Sequence, residues 1–326
     1  MSDTHTTMDH EEDKRPGVIK VWWIALRPFS FPASIISVLF GAVTAVIMTD
    51  ATLDLPLILL AAMSMALLHG GANILNDVYD YRRGLDTQVH PVSGAVVRGY
   101  LSPRQAFRGA LVFLAAGASL GMIIVWLVGP VIFYIGLVGV AVGVLYSATP
   151  AALKYHALGD LAVFLNFGIL GALGGWVTQT GVVAWLPVVW SVPISLLVVG
   201  ILHANNWRDI EDDKSRDCKT VAGLLGDRAS APYYSFLLFA PFVIIVVLIA
   251  LPRLTGMGTA LPLTFSLTLL ALPLAINLMG RASRRTTASN PLDFIALDAG
   301  TAQLNLLFGV LCTVSVMLHA WVGPLH

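Results

Sequence analysis

Residues 68–86 read LHGGANILNDVYDYRRGLD, and an apolar run over 55–75 leads into them. That run matches the roughly 20 residues a helix needs to cross a bilayer. At about 100° per residue, Asn73, Asn76, Asp77 and Asp80 fall within about a third of the helix circumference. The polar face therefore continues a membrane-spanning helix. Gly84 suits the end of that helix, leaving Asp86 on a loop able to fold back over it. Carboxylates at membrane depth are costly enough to imply function.

Eight more apolar runs lie near 31–49, 106–128, 130–148, 159–180, 185–204, 231–251, 261–280 and 295–320. With 55–75 they predict an all-α membrane protein of nine transmembrane helices. Composition agrees: the chain is 57% hydrophobic and 12% charged, where a soluble domain has about 25% charged residues. A soluble helical core of this length has nowhere to bury helices that are apolar all round. Net charge is zero, which gives no basis for nucleic-acid binding. Cys218 and Cys312 suggest neither a disulfide framework nor a metal site. Residues 1–20 read as a disordered tail without the pattern of a secretory signal, and 21–326 as one transmembrane domain. The last span opens on Asp298, Thr301, Gln303 and Asn305, so its first turns face protein or water.

The loops alternate in charge. The tail, 76–105, 149–158, 205–230 and 281–294, with the adjoining helix ends, hold every Lys and Arg except Arg253. The positive-inside bias places these segments and the N-terminus in the cytoplasm, in a multi-pass protein of the cell membrane. Both acidic clusters lie on that side.

The second cluster, residues 205–220, reads NNWRDIEDDKSRDCKT. Asn205, Asp209, Asp212 and Asp213 again share one helix face. Leu202-His203-Ala204-Asn205 also echoes Leu68-His69 and Ala72-Asn73. Facing carboxylates need counter-charge, and magnesium takes oxygen ligands completed by water and substrate phosphate. Two such clusters beside basic residues fit a diphosphate bridged by Mg2+. Arg82, Arg83, Arg98, Lys154, Arg208 and Lys219 are the candidates for its oxygens. Glu211–Asp213 alone would read as a solvated charge run; the matching pair of clusters favours a site.

These motifs resemble the UbiA superfamily of intramembrane aromatic prenyltransferases, whose second acidic pair corresponds to Asp209 and Asp213. The resemblance extends to Arg27-Pro28-Phe29-Ser30-Phe31-Pro32 and Tyr146-Ser147-Ala148-Thr149-Pro150. It also takes in Gly159-Asp160, Gln179-Thr180-Gly181 and the run from Gly300 to Gly309. The six-residue interval from Asp80 to Asp86, with the Asn205–Asp213 stretch, is most similar to the menaquinone-pathway branch, which prenylates 1,4-dihydroxy-2-naphthoate. Departures from the pattern are Asn166 in an otherwise apolar stretch, Asp217, and Gln303.

The resemblance implies a prenyltransferase that joins a polyprenyl diphosphate to an aromatic acceptor within the lipid bilayer. Mg2+ would be held by Asp77, Asp80, Asp209 and Asp213. Tyr146 would face the diphosphate or the allylic cation. Asn73, Asn76, Arg82, Asp86, Arg98, Lys154, Asn205, Arg208 and Lys219 would bind substrate. Other acceptors known in the superfamily are 4-hydroxybenzoate, homogentisate, and haem or chlorophyll precursors. From another class, a cation-coupled transporter would also use intramembrane acids, but near the bilayer midplane rather than at one interface. His69, His203 and Asp160 read equally well as packing or capping residues and as catalytic groups.

Overall fold

The computed structural model describes residues 16–85, 89, 94–148, 152–287 and 297–322. Asp86 and residues 1–15 of the expected tail lie outside these. Among the described residues the regular elements are all helices. Eight are long and apolar enough to cross a membrane, and a bent N-terminal pair makes nine, in line with the nine expected spans.

The bent pair is α1 (Val18–Leu26) and α2 (Pro32–Met48). Arg27 ends α1 in the left-handed region at φ 53°, and the chain turns by 54° through Pro28–Ser30. The decisive helix, α3, runs unbroken over Leu55–Arg83. Its start is fixed by Asp54, whose side chain accepts from the Leu57 amide, and by Pro56 in the first turn. Its end is fixed by Gly84 at φ 70°, with the Leu85 amide bonded back to the Asp80 carbonyl. The helix thus outlasts the expected apolar run and carries Asn73–Asp80 on rigid backbone.

A Ser102–Gln105 capping box opens α4 (Pro103–Val128), and α5 (Pro130–Ser147) follows after Gly129. Then come α6 (Gly159–Thr180) and α7 (Trp185–Arg208). The short α8 (Ile210–Ser215) is followed by α9 (Val221–Thr255), broken at Gly226. The last two are α10 (Leu263–Ser283) and α11 (Leu297–Val322).

Burial separates centre from wall. About half of the apolar stretch of α6 and α7 is inside the bundle, 50% and 56%, against 11% for α4 and 6% for α5. The latter present side chains such as Trp126 and Leu137 outward, as helices facing lipid do. In a membrane the hydrophobic effect does not drive helices together, so small residues set the closest approaches. A Cβ on Gly41 of α2 would lie 1.9 Å from the Ala172 carbonyl oxygen of α6. One on Gly175 would lie 2.0 Å from that of Val38.

Two cores result. One gathers Phe40, Trp190, Trp207, Tyr234, Phe265 and Phe308 from α2, α7, α9, α10 and α11. The other packs Val21 and Ala25 of α1 against Ile74 and Val78 of α3, with Ala95 and Ala106. The first acidic stretch rests on the second of these cores, and the second stretch on the first.

Candidate active site

The site forms where three loops are tied together. The Ala157 amide donates to the Lys219 carbonyl and the Lys219 amide to that of Tyr155, joining the loop after α5 to the loop after α8. Arg216 donates from Nη1 to the Leu85 carbonyl, bringing in the end of α3. Leu85, Ala152, Tyr155 and Cys218 pack beneath these bonds.

Lys154 sits at the centre. Its ammonium donates to Asp80 Oδ1 and Asn76 Oδ1. Asn76 Nδ2 donates to Asp80 Oδ2 at 3.0 Å, one helical turn on, and Ser147 Oγ donates to Asn76 Oδ1 at 2.8 Å. Tyr155 donates its hydroxyl to Asp80 Oδ1 at 2.8 Å. Arg83 lies over the Tyr155 ring, 4.0 Å from its centre. Arg82 instead lies over Tyr79 and Phe107, on the α4 side.

Asp77 is fully buried and turned toward the segment around 94–101. Its Oδ2 accepts from the Val96 amide at 3.0 Å, and Arg27 approaches its Oδ1 at 3.9 Å. That Oδ1 is buried without a hydrogen bond. Arg98 is half-buried in the same segment. Asn73 donates to the Leu26 carbonyl at 3.0 Å and to Ser30 Oγ at 3.1 Å, so its amide nitrogen ties α3 to the turn after α1.

The second stretch is split. α7 stops at Arg208 and α8 begins at Ile210, with Asp209 between them at φ −97°, ψ 12°. The spacing suggested one shared face, but the break turns Glu211 and Asp212 out to solvent and leaves Asp213 partly buried. Arg208 grips both oxygens of Asp209, at 2.8 and 2.9 Å, and reaches Asp298 Oδ2 on α11 at 2.8 Å. Asn205 donates to the same Asp298 oxygen at 3.4 Å. The Asp213 carboxyl is pushed up to about 7, first by burial and next by the Asp209 charge, against the pull of Lys154. Burial and Asp213 together raise the Cys218 thiol to about 12, so it stays protonated. Lys219 is exposed beside its paired backbone.

Tyr146 ends α5 and packs with Phe164, Phe167 and Tyr233. Below the site an apolar cavity of about 310 Å3 runs between α2, α3, α4, α5 and α6. His69 borders it, stacked on Phe167 at 4.4 Å and bonded to Ser34 Oγ at 2.9 Å. His203 is wholly buried against Tyr233. Both histidines are thus packed within the bundle, and Asp160 accepts from the Tyr233 hydroxyl at 3.1 Å.

Four partners in the site were not among the sequence candidates: Arg27, Ser147, Tyr155 and Asp298. Asp298 carried a signal as the polar opening of the last span, and Arg27 and Ser147 lie in stretches that resemble the family; Tyr155 carried none.

Among the described residues, no three His, Cys, Asp or Glu side chains converge as a metal-holding group. The donors fit a hard cation that shares its ligands with substrate. Asp80 and Asn76 form an all-oxygen cradle already filled by a cationic ammonium, Tyr155 donates to the same Asp80, and the Lys154 charge also acts on Asp213. Magnesium is usually bound by one or two carboxylates, with phosphate and water completing its shell.

Residues 34–297 match the UbiA prenyltransferase family. The UbiA prenyltransferase domain-containing protein 1 of Danio rerio is 32% identical over 300 residues, covering 90% of this chain and 83% of that protein. The 1,4-dihydroxy-2-naphthoate octaprenyltransferase of Bacillus subtilis (strain 168) is 29% identical over 319 residues, covering 98% and 99%. A UbiA homologue from Archaeoglobus fulgidus, solved bound to GPP and Mg2+, shares the fold with a TM-score of 0.60 at 17% identity, over 90% of this chain and 99% of that one. The nine-span bundle, the paired acidic stretches and the match over most of its length establish that this chain is an enzyme of the UbiA prenyltransferase family.

Proposed function

We propose that the chain transfers a polyprenyl group from an allylic diphosphate to 1,4-dihydroxy-2-naphthoate, with loss of the acceptor carboxylate, in menaquinone biosynthesis. The observation that carries this reading is the seat of Lys154. It is a cationic group held by Asn76 and Asp80 from one acidic stretch, with its charge acting on Asp213 of the other, above an apolar cavity. A diphosphate head and a hydrocarbon tail need that combination of charge and apolar space side by side. The name of the Bacillus relative supports the acceptor, and the ligands of the Archaeoglobus homologue support an allylic diphosphate with Mg2+.

Bound Mg2+ would neutralise the diphosphate and make it a better leaving group. Asp80 and Asp213 would hold it from the two sides, with Asp77 and Asp209 behind them. Lys154 would then turn its ammonium to the diphosphate oxygens, where charge develops as the bond to carbon breaks. Arg208, Arg98 and Lys219 add positive charge around this head. Tyr146 and Phe167 would wall the allylic fragment and keep water from it. The basic loops support a cytoplasmic position for this face.

Purified protein in detergent with Mg2+, geranylgeranyl diphosphate and a panel of aromatic acids tests this by mass spectrometry. The expected product is a decarboxylated prenyl naphthoquinol, absent with Asp80→Ala and with Asp213→Ala. Product only from another acceptor would replace the naphthoate. Cation-coupled uptake into proteoliposomes without any prenyl product would sink the reading altogether.

A further inference from the structure

The polar side chains bordering the cavity differ in one respect. Ser64 donates to the Gly117 carbonyl at 2.8 Å, and Thr178 to the Gly175 carbonyl at 2.6 Å. The His69 ring is bonded to Ser34 at 2.9 Å and Ser30 at 3.3 Å. Asn166 lines the same cavity and has no hydrogen-bond partner among the described residues. An amide left unpaired within a membrane bundle costs free energy, and hydrocarbon offers it nothing in return.

The backbone presents Asn166 to this space. It lies in a π-helical turn, Phe164–Leu170, inside α6, and such turns frequently mark functional positions. Opposite it α5 presents two glycines, and the amide lies close to both: a Cβ on Gly139 would meet Asn166 Oδ1 at 3.1 Å, and one on Gly143 its Nδ2 at 3.7 Å. Along α5 Gly143 and Gly139 lie about 6 and 12 Å below Ser147, at about 1.5 Å per residue. Ser147 is bonded to Asn76 in the site. The amide is therefore within reach of an aromatic molecule whose reacting carbon stands beside Lys154 and Tyr146.

We infer that Asn166 is the acceptor-recognition residue of the cavity: its side-chain amide hydrogen-bonds a ring oxygen of the aromatic acceptor. This rests on the prenyl-transfer reading above. A polyprenyl tail has no oxygen to offer, whereas a dihydroxynaphthoate has a hydroxyl remote from its reacting carbon. Nδ2 donates to that oxygen, or Oδ1 accepts its proton. The tail passes toward the purely apolar end of the cavity near Ala61, Ile124 and Ile132.

The test compares wild type with Asn166→Leu and Asn166→Gln, on 1,4-dihydroxy-2-naphthoate and on 1-hydroxy-2-naphthoate, which lacks the remote hydroxyl. One neutral hydrogen bond is worth about five- to tenfold. Asn166→Leu should raise KM for the dihydroxy acceptor by that factor and leave KM for geranylgeranyl diphosphate within about twofold. The preference of wild type for the dihydroxy compound should disappear in Asn166→Leu and be partly kept in Asn166→Gln. Binding of 1,4-dihydroxy-2-naphthoate alone, followed by its fluorescence, should weaken by the same factor. A change in KM for the prenyl diphosphate or in tail-length preference, with acceptor KM unchanged, would overturn the inference, as would no change at all.

If wild type prenylates a different acceptor, the naphthoate reading fails, and the same comparison on that acceptor and its deoxy analogue decides the role of Asn166. If naphthoate binds without turnover, only the reaction is lost, and the wild-type and Asn166→Leu binding curves decide the inference. A wild type that binds no aromatic acceptor at all defeats both.

Discussion

Asp80 and Asp213 feel the charge of the same lysine from helices built in different ways. Asp80 lies on an unbroken helix and is bonded to Asn76, Tyr155 and Lys154, over the small core of α1, α3 and α4. Asp213 lies on a six-residue helix after a break, with solvent-facing Glu211 and Asp212 just before it. Its neighbour Asp209 is gripped by Arg208, which also holds α11 through Asp298. Similar spacing of acids thus produces a prearranged half and an adjustable half. Preorganised charge contributes most to catalysis because it needs no rearrangement during reaction, so damage to the first half should cost more.

The largest effect is expected at the prearranged half. Asp80→Asn keeps the size of the side chain but removes the charge that seats Lys154, and should lower kcat/KM by about a thousandfold. Lys154→Met should cost about a hundredfold or more for the same reason. Rates of prenyl product formation under matched Mg2+ check both. An Asp80→Asn enzyme within about tenfold of wild type would remove the first stretch from its leading role.

Asp213→Asn should cost less in rate, about a hundredfold, and should change how stability depends on pH. The carboxyl titrates near 7 in the folded chain, against an ordinary value of 3.8, chiefly because it is buried. A raised carboxyl binds its proton more tightly when folded. Stability from this group is therefore full below about 4 and declines as pH rises toward 7. Thermal melts of metal-free protein at pH 5 and pH 7.5 should show a larger drop for wild type than for Asp213→Asn. Mg2+ with inorganic diphosphate should recover part of the loss in wild type alone, because metal binds the ionised carboxylate. Equal drops in the two proteins would mean that Asp213 is solvated.

Arg208→Lys comes next. It keeps a positive charge but loses the two-pronged grip on Asp209 and the reach to Asp298, so about a tenfold loss in kcat/KM is expected. Asp298→Asn should lose less, since the Asp209 contact survives. Michaelis–Menten analysis of the pair orders the two contacts.

The contrast between the halves was only partly readable from residue order. The first stretch could be read because its polar face prolongs an apolar span, so one periodicity describes both, and Gly84 marks its end. The second could be recognised as acidic but not as broken: nothing in the spacing of Asn205, Asp209 and Asp213 says that the helix stops at Arg208. Contacts between distant segments left no local trace. Asn73 reads as an inward oxygen donor, yet its nitrogen bonds the Leu26 carbonyl, because α1 turns back against α3 through Arg27. Asp77 shares a helix face with Asp80 in projection, but loop residues 94–101 cover it. Arg82 and Arg83 are indistinguishable as sequence candidates, and only packing shows which of them lies over Tyr155.

The smallest expected effect separates this reading from a simple count of acids. Glu211 and Asp212 are exposed, and Asp213 is not. An exposed carboxylate is solvated, and its field is screened within about 8 Å at physiological salt. It therefore adds little to a buried diphosphate site. Among the described residues Glu211 has a surface pairing with Lys214, at 3.9 Å, of a kind usually worth less than about 1 kcal/mol. Glu211→Ala and Asp212→Ala should each leave kcat/KM within about twofold of wild type and the melting temperature within about 1 °C. If the second stretch instead works as an undivided acidic patch, these two variants and Asp213→Asn would fall together. A tenfold loss in Asp212→Ala at constant Mg2+ would show that the helix break does not divide the patch functionally, and that Asp212 turns inward once substrate is bound.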